Sequence, residues 1–201
     1  MIKKILPIIF ILIVLNITAQ NKFSQISRPE KIWVLMHPFS SKKAFNITKN
    51  VLIIVDSIKA IGIIGCDING GKLDAFKHAY WMANLSKSIG NKKAKSLGIA
   101  HEKGNKLQFK KQKTEDRILP DSISCEMDLF NNIQGIEIGT NSQNMNLKEM
   151  QLATLDTLKN GKLRVLKKDN NGNCLTSQNT LINLNDWFGK WNIPKCLEPS
   201  Y

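Results

Sequence analysis

Three short stretches of the chain place polar side chains one helical turn apart inside otherwise apolar sequence. Asp74 and His78 are four residues apart, His101 and Asn105 repeat that spacing with Glu102 beside the histidine, and Asp128 is followed by Asn131 and Asn132. Residues three or four apart share one face of a helix. Their neighbours include Phe76, Ala79, Tyr80 and Trp81 around the first pair, and Met127, Leu129 and Phe130 around the third. A buried polar group left unpaired costs about 1–3 kcal/mol. The lowest-energy arrangement is therefore one in which these side chains meet one another.

Three chemistries fit such a meeting. A divalent metal such as zinc is held by His78, His101 and Asp128, with Asp74 orienting an imidazole from behind and Glu102 serving as general base toward water. Alternatively, acid–base chemistry runs without a metal, Asp74 fixing the tautomer of His78 while His101 or Glu102 moves the proton. In the third reading Asp74, His78, His101, Glu102, Asp128, Asn131 and Asn132 are a satisfied hydrogen-bond network that locks helices together and catalyses nothing. His37, which precedes Pro38, reads as a capping or packing residue.

The elements that must position these residues are mostly helical. Ser27 caps a short helix opening on Pro29 and Glu30, and His37-Pro38 closes it. Ser40 or Ser41 caps a helix over 42–59, in which Ala44, Ile47, Val51, Ile54 and Val55 recur at three- and four-residue steps. Helices follow over 72–89 and over 92–103, the latter ending at Gly104, and residues 105–120 read as an exposed loop. A fifth helix runs from Ser122 to Ile133 or further and stops between Gly135 and Gly139. A sixth covers 145–159 and ends at Gly161. Lys162 to Leu166 suits one short strand, 169–173 a turn, and the tail with Trp187, Phe188 and Trp191 folds back onto the helices. The expected fold class is all-α, a bundle of about six helices with an irregular C-terminal flap over about 161–201 and one short strand or hairpin.

Across 70–140 the chain resembles a family of exported bacterial helical domains of unknown function with the pattern D-A-F-[RK]-H-A-Y-W, A-H-E and M-D-x-x-N-N-x-x-G. The matching residues are Asp74 to Trp81, Ala100 to Glu102, and Met127 to Gly135. The resemblance implies a helical domain and brings no established activity. Relatives carry histidine where this chain has Phe130, so no ligand role is carried over to that position.

Composition bounds the partners. The chain has 201 residues and a formal charge of +13. Lys3 and Lys4, the apolar run Ile5 to Leu15 and the small-residue site at Ala19 have the order of a secretory leader, too short to span a bilayer. Its removal leaves residues 20–201 as one domain with no transmembrane segment, exported to the periplasm or beyond. The positive balance favours an anionic envelope component or lipid surface. Only Arg28, Arg117 and Arg164 are arginine, which argues against a nucleic-acid partner, since bidentate phosphate contacts favour that side chain. Cys66, Cys125, Cys174 and Cys196 allow two disulfides in an oxidising compartment, the favoured pairs being Cys66 with Cys125 and Cys174 with Cys196. Two function classes remain open. One is a hydrolase acting on an envelope phosphoester or lipid ester, and the other is a non-catalytic envelope or binding protein whose polar cluster is structural.

Overall fold

A computed structural model of the chain describes residues 26–111, 119–142 and 144–201. The leader expected over 1–19 lies outside the described residues, as do residues 112–118 of the loop expected over 105–120. Among the described residues there are six helices: α1 (Arg28–Met36), α2 (Pro38–Ile61), α3 (Lys72–Ile89), α4 (Asn91–Lys110), α5 (Ser122–Asn141) and α6 (Leu147–Lys159). Two three-residue strands follow, β1 (Arg164–Leu166) and β2 (Leu197–Pro199), with a 3-10 turn over Leu184–Trp187 between them. The strands pair antiparallel, Val165 opposite Glu198. The fold is thus mostly helical with a small hairpin, and no described helix is long and apolar enough to cross a membrane.

Helix α3 is the axis of the molecule. Its residues are buried nearly all round, Leu73, Phe76, Ala79, Met82, Ala83 and Leu85 being wholly inaccessible. A helix hydrophobic on every side has to be enclosed, and α2, α4, α5 and α6 enclose it. One apolar cluster joins α3 to Val51, Val55 and Ile58 of α2 and Met150 and Leu158 of α6. A second joins Met82 and Leu85 to Trp33 of α1 and Ala94 and Leu97 of α4.

The crossing of α3 with α5 depends on the absence of side chains. A β-carbon at Gly135 would fall on the carbonyl of Ala79, and one at Gly139 on the carbonyl of Ala83 and the hydroxyl of Ser86. These glycines were expected to end α5, yet the helix passes through both and reaches Asn141. They set backbone proximity instead. Helix α4 similarly continues past Gly104 to Lys110, beyond the stop expected there. A β-carbon at Gly104 would stand 2.7 Å from Cβ of Ser27, so the glycine makes room for the start of α1.

Two further expectations are corrected. Helix α2 begins at Pro38 rather than near residue 42, and neither Ser40 nor Ser41 caps it. His37 separates α1 from α2, its ring stacked on Trp33 and its Nδ1 2.9 Å from the Trp33 carbonyl oxygen. The four cysteines form no disulfide. Cys66 is exposed, its thiol 3.6 Å from the Lys59 carbonyl, whereas Cys125 is buried in α5. Burial first, and then the charge of Glu102 and its hydrogen bond, push the Cys125 thiol far above the ordinary range. A thiol in that state is inert toward exchange.

The tail returns to the helices at defined points. The Asn131 side chain, fully buried in α5, donates to the Arg164 carbonyl and accepts from the Arg164 N–H, each at 2.9 Å. The Ser200 hydroxyl donates to the Leu158 carbonyl of α6 at 2.7 Å. Between these anchors the backbones of Lys168 and Cys174, and of Leu175 and Leu181, pair as antiparallel bridges, and Leu166, Cys174 and Ile182 pack against Met127 of α5.

Candidate metal centre

Asp74 sits in the first turn of α3. Its Oδ2 accepts the Gly70 N–H at 2.8 Å, and its Oδ1 lies 2.7 Å from Lys77 Nζ. One turn on, His78 turns Nε2 toward the same carboxylate, 3.6 Å from Asp74 Oδ1. The close crossing of α3 and α5 carries Asp128 to the same ring nitrogen, Oδ1 3.3 Å from His78 Nε2. One ligating atom from each of the three lies within 4.8 Å of the other two. All three residues are buried, with 7% or less of their surface exposed.

Those spacings bear on what the group can hold. Both imidazole contacts exceed the usual 2.7–3.2 Å of an N–H···O hydrogen bond. Ligands about 2.1 Å from a tetrahedral ion stand about 3.4 Å apart, close to the 3.6 and 3.3 Å that separate His78 Nε2 from the two carboxylates. The imidazole is also in the protonation state a metal requires. Burial holds His78 well below the ordinary histidine range, the charges of Lys77 and His101 add to the effect, and the Asn132 amide opposes it. Two carboxylates in a poorly hydrated place need compensating positive charge. Lys77 supplies part of it, and a dication would supply the remainder. Two oxygens and one imidazole nitrogen suit zinc or manganese better than calcium, which takes six to eight oxygens. Three protein ligands leave a coordination position open, as catalytic rather than structural zinc sites do.

The triad borders a cavity of about 590 Å³, which Lys77, His101, Asn105 and Lys168 also line. His101 was expected among the metal ligands with His78 and Asp128. It lies beside the group, not within it, its ring centroid 6.3 Å from that of His78 and its edge against Trp81. Its Nδ1 donates to Glu30 Oε1 at 3.1 Å. Burial raises Glu30, but the hydrogen bond and charge of His101 and the Ser27 contacts outweigh it and leave this carboxylate below its ordinary value. Asp74, expected behind the histidine, is instead a member of the group.

Glu102 does not line the cavity. It turns into the packing between α4 and α5, where its Oε2 accepts the Asn105 amide at 3.0 Å and its carboxylate adjoins Cys125. Asn132 lies beside His78 and against Gly98. Asn131 faces β1 instead. Glu30 is the residue that spacing alone missed. Its only sequence signal was the capping box with Ser27, which the structure also contains. Two lysines of the flap were missed likewise. Lys195 is buried against Asp121 at 2.6 Å, and Lys168 spans Asp67 and the Asn69 carbonyl.

A family model described as a domain of unknown function (DUF6973) matches residues 31–162. No curated protein and no solved structure matches the chain.

Proposed function

The chain belongs to the DUF6973 family, and we propose that its Asp74–His78–Asp128 group holds one divalent cation and hydrolyses an anionic ester, a phosphoester above all. The observation carrying this reading is the spacing of the two carboxylates about Nε2 of a neutral imidazole at the wall of a cavity. A cation held there supplies Lewis acidity toward an ester oxygen and toward water.

The chain's own residues supply the rest. Asp74 is fixed by the Gly70 N–H and by Lys77, so its free rotation is already lost before any ligand arrives. Glu30 holds His101 through Nδ1 at the wall of the cavity, beside the triad. That arrangement suits His101 to accept a proton from attacking water, the role first expected of Glu102. Lys77, Lys168 and Lys195 line the cavity paired with Asp74, Asp67 and Asp121, so a bound dication would supply the surplus positive charge that favours an anionic substrate. The signature shared by Asp74 to Trp81, Ala100 to Glu102 and Met127 to Gly135 belongs to the same reading. So does export to the envelope through the leader at 1–19, which N-terminal sequencing of the protein recovered from cells tests.

A second reading has support of its own: Asp74 also ties down the Gly70 N–H, as a purely structural carboxylate would. Elemental analysis of purified protein beside His78→Ala and Asp128→Asn separates the two. One equivalent of metal, lost in both variants together with bis(p-nitrophenyl) phosphate hydrolysis, is expected. Absence of stoichiometric metal after incubation with zinc and manganese leaves the structural network.

A further inference from the structure

The cavity beside the triad is not uniformly polar. Opposite chemistry to Asp74, His78 and Asp128 comes from Ile68, Leu119, Leu166, Leu181, Ile182 and Leu184, all of which line the same space. Four of these six belong to the flap, beyond the 31–162 span of the family match. Leu166 and Ile182 are buried, but Leu181 and Leu184 are 58% and 49% exposed. Large aliphatic side chains kept in water at the rim of a cavity lose free energy there unless a ligand covers them. The flap is also held firmly enough to act as a wall, by Asn131 on β1 and by the Leu166 N–H donating to the Gly70 carbonyl at 2.7 Å. Gly70 in turn donates to Asp74, so the apolar wall and the triad share one loop.

We propose that the flap makes this site selective for amphiphilic anionic esters, a phosphate monoester or diester bearing a single hydrocarbon chain. The inference rests on the proposed metal centre and names its substrate class. The phosphate lies toward the triad and the bordering lysines, and the chain lies along Leu166, Leu181, Ile182 and Leu184. The 590 Å³ available falls within the range of small-molecule sites.

The test uses the full chain loaded with zinc, titrated calorimetrically with methyl phosphate, octyl phosphate and octyl glucoside below their micellar concentrations. Each buried methylene is worth roughly fourfold in affinity. Octyl phosphate is therefore expected to bind at least about thirtyfold more tightly than methyl phosphate, since several methylenes are covered. Octyl glucoside should bind far more weakly than octyl phosphate. The paired change Leu181→Asn with Leu184→Asn, both at exposed positions, should cut the octyl-to-methyl ratio to below about threefold while leaving metal content and methyl phosphate affinity unchanged. Equal affinities for the two phosphates, an unchanged ratio in the double variant, or octyl glucoside binding as well as octyl phosphate overturns the proposal and leaves the metal centre standing. A chain that takes up no metal overturns the metal centre and this inference with it, and the metal titration alone reads that outcome.

Discussion

Gly135 of α5 lies directly against the carbonyl of Ala79 of α3, with no room for a methyl group between them. The contact falls one residue along α3 from His78 and seven along α5 from Asp128, so the approach of the two helices sets the separation of those two side chains. Gly135→Ala must push the helices apart. Overpacking of this kind costs about 1–3 kcal/mol, to be read from urea unfolding. Metal affinity should fall as well, by about tenfold or more, because a sub-ångström shift of Asp128 degrades the coordination distances. Unchanged stability and affinity in this variant would contradict the described crossing.

Metal loading should stabilise the folded chain. A cation at one hundred times its dissociation constant adds about 2.7 kcal/mol when the unfolded chain does not bind it. For a chain of this size that corresponds to a rise in Tm of about 6–10 °C. The rise should be absent in Asp128→Asn and in His78→Ala, and His101→Gln should retain it, since His101 stands outside the group of three. Differential scanning calorimetry with and without zinc checks all three.

The Glu30–His101 contact gives a pH dependence with a definite sign. The folded-state value of Glu30 is lowered from 4.5 despite burial, through His101 and Ser27. Its contribution is therefore fully present above pH 4.5 and disappears as pH falls through the lower folded value. Glu30→Gln should cost about 1–2 kcal/mol at pH 7, in line with a charge-assisted hydrogen bond. The gap between wild type and variant should close at strongly acid pH. A gap that widens on acidification would contradict the assignment.

Asp74 and His78 were legible because their relation is local: four residues on one helix fix their common face whatever the surroundings. Asp128 was legible as a polar residue in an apolar stripe that needed a partner. The part of Glu30 was not, since α1 and α4 meet through tertiary packing and nothing in the spacing of residues 30 and 101 records it. Gly104, Gly135 and Gly139 were misread for a related reason. A helix-ending glycine and a glycine at a helix crossing have the same local sequence, and only the neighbouring helix distinguishes them. The cysteines failed differently, an even count fixing neither distance nor orientation.

Because the four cysteines are unpaired, titration with a thiol reagent in denaturant should find four thiols per chain. In the native protein Cys66, exposed in the loop before α3, should react first, and Cys125 should react only on unfolding. Detection of fewer than four thiols in fully denatured, unreduced protein would restore a disulfide.

Lys195 and Asp121 form an ion pair almost wholly removed from water. Lys195→Met leaves the Asp121 carboxylate buried with only its α5 cap contacts. Losing one member of such a pair costs about 3–5 kcal/mol, and the variant's urea midpoint should drop accordingly. Asp121→Asn with Lys195→Met should recover much of the loss. A double variant no better than the single one would rule out the ion pair as the cause.

Asn131 grips β1 through both halves of its amide, three positions after Asp128 on the same helix. Tail and ligand helix consequently behave as one mechanical body: the backbone of Arg164 cannot lift away without tugging the helical turn that carries Asp128. Whatever steadies that turn also slows detachment of the strand it grips, so the quietness of the Arg164 backbone gauges how firmly Asp128 is held.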